Sequence, residues 1–129
     1  FLRAFRCSRG LGRFGDVRIE HDWPDEALPA AGLDAATAVV ALSHDAKLDD
    51  AALISALRSD AFYVGALGSR KTHAGRVERL TQAGIAAADI ARIHAPIGLD
   101  IGAQGAAEIA LSIIAEITAV ARGKSGARP

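Results

Sequence analysis

The chain has a single cysteine, no methionine, one tryptophan and one tyrosine in its 129 residues. Cys7 alone closes no intramolecular disulfide and supplies no multi-cysteine metal site, which excludes a stapled secreted fold and a zinc ribbon. Neither sign of charge is in excess: fifteen basic residues face fifteen acidic ones, so no global field draws the protein to nucleic acid or to anionic lipid. Long hydrophobic runs are lacking too. Glu, Asp or Arg breaks every apolar stretch before the ~20 residues that a membrane-spanning helix needs, and no signal-peptide pattern opens the chain. A cytoplasmic location is expected, with no nucleic-acid or membrane partner. Gly-x-Gly-x-x-Gly after a strand, a Walker-type loop and a clustered His/Cys set are all absent; Gly10 and Gly12 have neither the preceding strand nor the third glycine. With no methionine and with Phe1 opening what reads as a structured segment, a region upstream is expected to be missing.

What remains is a globular balance, 50% hydrophobic and 23% charged, in a length that suits one domain with one core. Residues 1–13 read as a basic, glycine-punctuated loop, and Val17 to Glu20 as a short edge strand. Trp23-Pro24-Asp25-Glu26 opens a short helix to Ala31, with Gly32 as its C-terminal cap. Thr37 to Leu42 is a continuous apolar run, the pattern of a parallel strand covered on both faces. Asp49 and Asp50 then start a helix running to about Ser59. Phe62 to Leu67 is a second buried strand, and strand–helix–strand in this span is a βαβ unit.

Gly68-Ser69 opens a further helix with Ala74, Val77, Leu80 and Ala83 on one face, Arg76 elsewhere and Gly84 as the cap. Ala87 to Ala91 is a helical turn and Arg92 to Ala95 a last short strand. Ala106 to Arg122 forms a long helix whose polar stripe, Glu108, Ser112 and Glu116, reads first as a solvated face and otherwise as a subunit contact. Residues 123–129 read as a mobile tail. The expected fold is α/β, with a mainly parallel sheet between helical layers.

In such a sheet ligands bind beyond the carboxyl ends of the strands. Three segments mark that edge: Ser43-His44-Asp45, the run from Gly65 through Gly68-Ser69-Arg70-Lys71 to His73, and His94-Ala95-Pro96 with the loop Gly98 to Gly102. The glycines of the second segment leave backbone amides approachable, Ser69 caps the helix, and Arg70 and Lys71 reinforce its positive N-terminus, which suits a phosphate or carboxylate. Gly65 and Gly68 could equally serve only a tight turn. His44 reads as a general base, a ligand or a hydrogen-bonded structural residue; His94 and Asp100 could share the cleft, or Asp100 could cap the long helix.

These residues carry a family likeness. The blocks Tyr63 to Ala74 and Arg92 to Ala103, with Asp49-Asp50, Trp23 to Leu28, Glu108 to Ile113 and Ala115-Glu116, resemble the XdhC/CoxI family over nearly all of the chain beyond its first dozen residues. The resemblance implies the family's carboxyl-terminal Rossmann-like three-layer domain as a single unit over residues 1–129. The family's first strand and glycine-rich turn would lie before Phe1, and its amino-terminal domain would be absent. It further implies an accessory factor, not an enzyme, that binds molybdenum cofactor and assists its sulfuration and insertion into xanthine dehydrogenase-type enzymes. A cysteine desulfurase and a second copy of the chain are the further partners it implies. Candidate cofactor-binding residues are His44, Gly65, Gly68, Ser69, Arg70, His73, His94, Gly98 and Asp100, because molybdopterin carries a phosphate that a helix N-terminus can hold. The rival readings are an NAD(P)-binding oxidoreductase-like domain, which the same architecture permits, and a structural dimerisation domain built on the last helix.

Overall fold

A computed structural model describes residues 20–124. Helix α1 (Pro24–Ala31) is followed by strand β1 (Ala38–Ala41), helix α2 (Ala46–Leu57), strand β2 (Tyr63–Ala66), helix α3 (Arg70–Gln82), the short helix α4 (Ala87–Ile90), strand β3 (Ile93–His94) and helix α5 (Gly105–Ala121). The three strands form one parallel sheet in the order β1-β2-β3, with Val39 beside Val64 and Val64 beside Ile93. All of the expected edge strand at Val17 to Glu20 except Glu20, which is in no strand, lies outside the described residues, as do the loop over residues 1–13 and most of the tail over 123–129.

The apolar strand runs are continuous because both faces of the sheet are covered. Alternate side chains divide between two clusters. Val39, Ala41, Val64 and Ala66 face Leu53, Ala56 and Leu57 of α2 and Leu80 of α3. Val40 and Tyr63 face the other way, onto Ile97 of the loop after β3 and Ile113 of α5. The result is three layers, with α1 to α4 on one side and α5 on the other. Gly32, at φ 72°, closes α1 as the expected cap.

Three expectations need correction. Helix α2 begins at Ala46, not after Asp50: the Asp45 carboxylate caps it by accepting the Lys47 amide at 2.9 Å. Asp49 instead lies inside its first turn, only 4% exposed, where it accepts the Ser43 amide and hydroxyl. On α3 the buried face carries Arg76 and Leu80, while Ala74 and Ala83 are exposed. On α5 the polar stripe is solvated only at Glu108: Ser112 is buried and Glu116 mostly so, whereas Leu111 and Ile114 are 61% and 54% exposed. Glu116 turns inward because Tyr63 and the loop after β3 offer it donors, while the Ser112 hydroxyl donates to the Ile109 carbonyl of its own helix.

Candidate functional site

The carboxyl ends of β1, β2 and β3 deliver the three marked segments to one edge of the sheet. There they enclose two depressions. One, of about 270 Å³, lies between the β1–α2 and β2–α3 turns and is lined by Ser43, His44, Gly68, Thr72 and Arg76. The other, of about 370 Å³, is lined by Arg70, Ile97, Gly98, Asp100, Ile109 and Ser112. Leu67, the residue leaving β2, borders both. A larger hollow of about 730 Å³ between α1 and α2 shares no residue with either and collects none of the marked segments.

Ser69 organises the shared turn. Its hydroxyl accepts the Thr72 amide at 3.1 Å and meets the Thr72 hydroxyl at 3.0 Å, so α3 starts with a well-made cap. The first amides of a helix have no partner within it, and the macrodipole makes that end positive. Arg70 is exposed beside it and borders the larger depression together with Asp100.

Arg76 is 2% exposed. One of its Nη groups donates to the Leu67 carbonyl at 3.1 Å and the other lies 3.4 Å from His73 Nδ1, while its Nε–H is buried with no partner among the described residues. Burial pushes the guanidinium below its usual range; Asp49 and Asp50 oppose that. Burial, and then the positive charge of Arg76, lower His73 as well, which favours the neutral ring, whose unprotonated nitrogen can accept. Arg79, one turn on, holds Asp50 of α2 through Nε at 2.6 Å and Nη2 at 3.3 Å.

Behind the loop after β3 sits a second polar group. Glu116 of α5 accepts the Tyr63 hydroxyl at 2.6 Å and the Gly98 amide at 3.2 Å, with His94 Nδ1 at 3.5 Å. The His94 and Tyr63 rings stack at 4.6 Å. Burial raises the Tyr63 hydroxyl far above its ordinary range, and the Glu116 hydrogen bond and charge raise it further. This phenol is a fixed donor. Gly98, at φ 93°, lies so close to the Ser112 side chain that a Cβ would collide with it.

The candidate residues therefore divide. His44, Gly68, Arg70, Gly98 and Asp100 line the two depressions, and Ser69 builds the turn between them. Gly65 is buried mid-strand, where a Cβ would meet Ile97 at 2.5 Å and the Tyr63 hydroxyl oxygen at 2.8 Å, so its place is explained by close packing. His73 faces Arg76, and His94 is engaged by Tyr63 and Glu116. Asp100 does not cap α5, whose N-cap is Gln104. Sequence reasoning missed Arg76, Asp49 and Glu116. A signal existed for Arg76: residues 73, 76 and 80 share one helical face, and Leu80 is the most buried residue of α3. Among the described residues, no group of three His, Cys, Asp or Glu is placed to hold a metal. No helix there is long and apolar enough to cross a membrane.

Known proteins match this chain along most of its length. A family model described as the XdhC Rossmann domain matches residues 10–117. The molybdenum cofactor insertion chaperone PaoD of Escherichia coli is 37% identical over 94 residues, 73% of this chain and 30% of that protein. The uncharacterised protein YqeB of the same organism is 37% identical over 78 residues, 60% of this chain and 14% of its own length. Among solved structures, one described as a xanthine dehydrogenase from Bacillus halodurans superposes with a TM-score of 0.63 at 30% identity, covering 84% of this chain and 30% of that one. The chain thus spans less than a third of the length of each of these proteins. The match of the family model over most of the chain, on a parallel sheet with helices on both faces, shows that the chain belongs to the XdhC family and corresponds to its Rossmann domain.

Proposed function

We propose that this domain serves the handling and insertion of molybdenum cofactor as part of an accessory protein, turning over no substrate of its own. The observation that carries this reading is the junction of three strand-end loops around the open N-terminus of α3, with Arg70 on one flank. The residues suit the group: the helix end and Arg70 provide for a phosphate, while Ile97, Ile109 and the peptide edge at Gly98 offer an apolar floor with a polar rim for a ring. When bound, the cofactor would supply the molybdenum redox chemistry used by the recipient enzyme. The domain's own residues would bind and orient it and shield it from water. Support comes from the name of the PaoD relative, an insertion chaperone.

In the same reading the recipient is a xanthine dehydrogenase-type enzyme, and sulfuration draws on a partner cysteine desulfurase, since the chain carries only Cys7. A second copy of the chain and a cytoplasmic setting complete it. The test is titration of molybdenum cofactor and of NAD(P) against the chain and its Arg70→Ala variant. Cofactor binding weakened about ten-fold by the variant is expected, the usual effect of losing one charge-assisted contact. Binding of NAD(P) without binding of the molybdenum cofactor would reject this assignment in favour of a nucleotide-dependent domain.

A further inference from the structure

We propose that the depression between the β1–α2 and β2–α3 turns is an oxyanion subsite read by Arg76, taking a phosphoryl group on the side of Leu67 away from Arg70. This deepens the function proposed above and rests on it for the identity of the whole ligand, though not for the anion chemistry. Two independent observations meet here. The first is the N-terminus of α3, a helix long enough to carry a full macrodipole. The second is Arg76, only 2% exposed, which lines the depression and whose buried Nε–H has no partner among the described residues.

An orphaned guanidinium donor is costly in an interior unless something accepts from it. The nearby carboxylates are already engaged: Asp49 accepts the Ser43 amide and hydroxyl, and Asp50 is gripped by Arg79. They help keep Arg76 charged without accepting from its Nε–H. On the rim the Thr72 hydroxyl and the exposed His44 ring can both donate, while the Asp49 carboxylate that also lines it holds Ser43 through Oδ1. About 270 Å³ gives room for one phosphoryl group and its first waters. A set of donors around a buried cation selects a compact oxyanion over an apolar group or a cation.

The test uses the whole chain and inorganic phosphate as probe, followed by the ring resonances of His44 and by calorimetry. Phosphate is expected to move the His44 resonances. Arg76→Lys, which keeps a cation but removes Nε–H, and His44→Ala, which removes an exposed ring, are each expected to weaken binding about ten-fold or more. Arg58→Gln, a charge loss in the α1–α2 hollow, should leave binding as it was. Thermal melts establish that Arg76→Lys is folded; if it is not, His44→Ala alone decides. Phosphate binding lost in Arg70→Ala but intact in Arg76→Lys and His44→Ala would place the anion on the other flank. That result would overturn this inference while leaving the proposed function standing. Absence of phosphate binding at millimolar concentration would overturn it as well, whereas failure to bind molybdenum cofactor with phosphate binding intact would overturn only the wider reading.

Discussion

At the scale of single residues, the site is set by three side chains that hold the turns in place: Arg76, Asp49 and Glu116. His73 reports on the first of them. Its folded pKa is lowered from the ordinary 6.5 by burial and by Arg76, so below that value the unfolded chain takes up a proton that the folded one refuses. This contribution to stability is present above pH 6.5 and falls as the pH drops toward the folded value. Denaturant titrations at neutral and mildly acidic pH should show the loss, and Arg76→Lys should leave its direction unchanged because burial is the first cause. The second prediction concerns Gly65, where Ile97 and the Tyr63 hydroxyl leave no room for a methyl group. Gly65→Ala is expected to destabilise by about 1–3 kcal/mol, the usual effect of overpacking, read as a lower denaturation midpoint with an unchanged m-value.

At the scale of elements, α5 is the informative one. Its sequence is apolar nearly all round, so hydropathy does not settle which face is buried. Ile113 packs on Val40 and Tyr63, and Ser112 and Glu116 flank it, while Leu111 and Ile114 point outward. Ile113→Ala should therefore cost about 2–5 kcal/mol, as loss of a packed aliphatic side chain does. Leu111→Gln should stay within about 0.5 kcal/mol, as a surface change. Equal costs in chemical denaturation would mean that the helix is rotated from this placement. Tyr63→Phe removes one donor from Glu116 but leaves the Gly98 amide on it, so a loss of about 1 kcal/mol is expected. Helix α3 shows the converse of α5: an arginine stands where an apolar residue would be expected, and the carbonyl at the end of β2 explains its position.

At the scale of the whole molecule, β2 is the central strand, paired to β1 and to β3 and covered on both faces. Its backbone amides should exchange only through global opening, whereas those of Asp100 to Gly102, beyond the Gly98 and Leu99 amides that α5 holds, should exchange through local fluctuation; hydrogen exchange resolved by residue checks this. The edge formed by the strand ends is where the rigid sheet meets adaptable loops, which is why the ligand-binding reading belongs there. Local patterning by itself determined the order and kind of the described elements. Unbroken apolar runs mark doubly covered strands, Ser69 marks a helix start, and Gly32 marks a helix end, because each depends only on neighbours a few residues away. The tertiary structure alone decided which side chains meet. That Asp49 folds back to Ser43, that Arg76 lies under Leu67, and that Glu116 reaches Tyr63 across 53 positions all follow from the need to pair buried polar groups. The sequence does not announce such pairings, since the partner lies in another element and only packing brings it near.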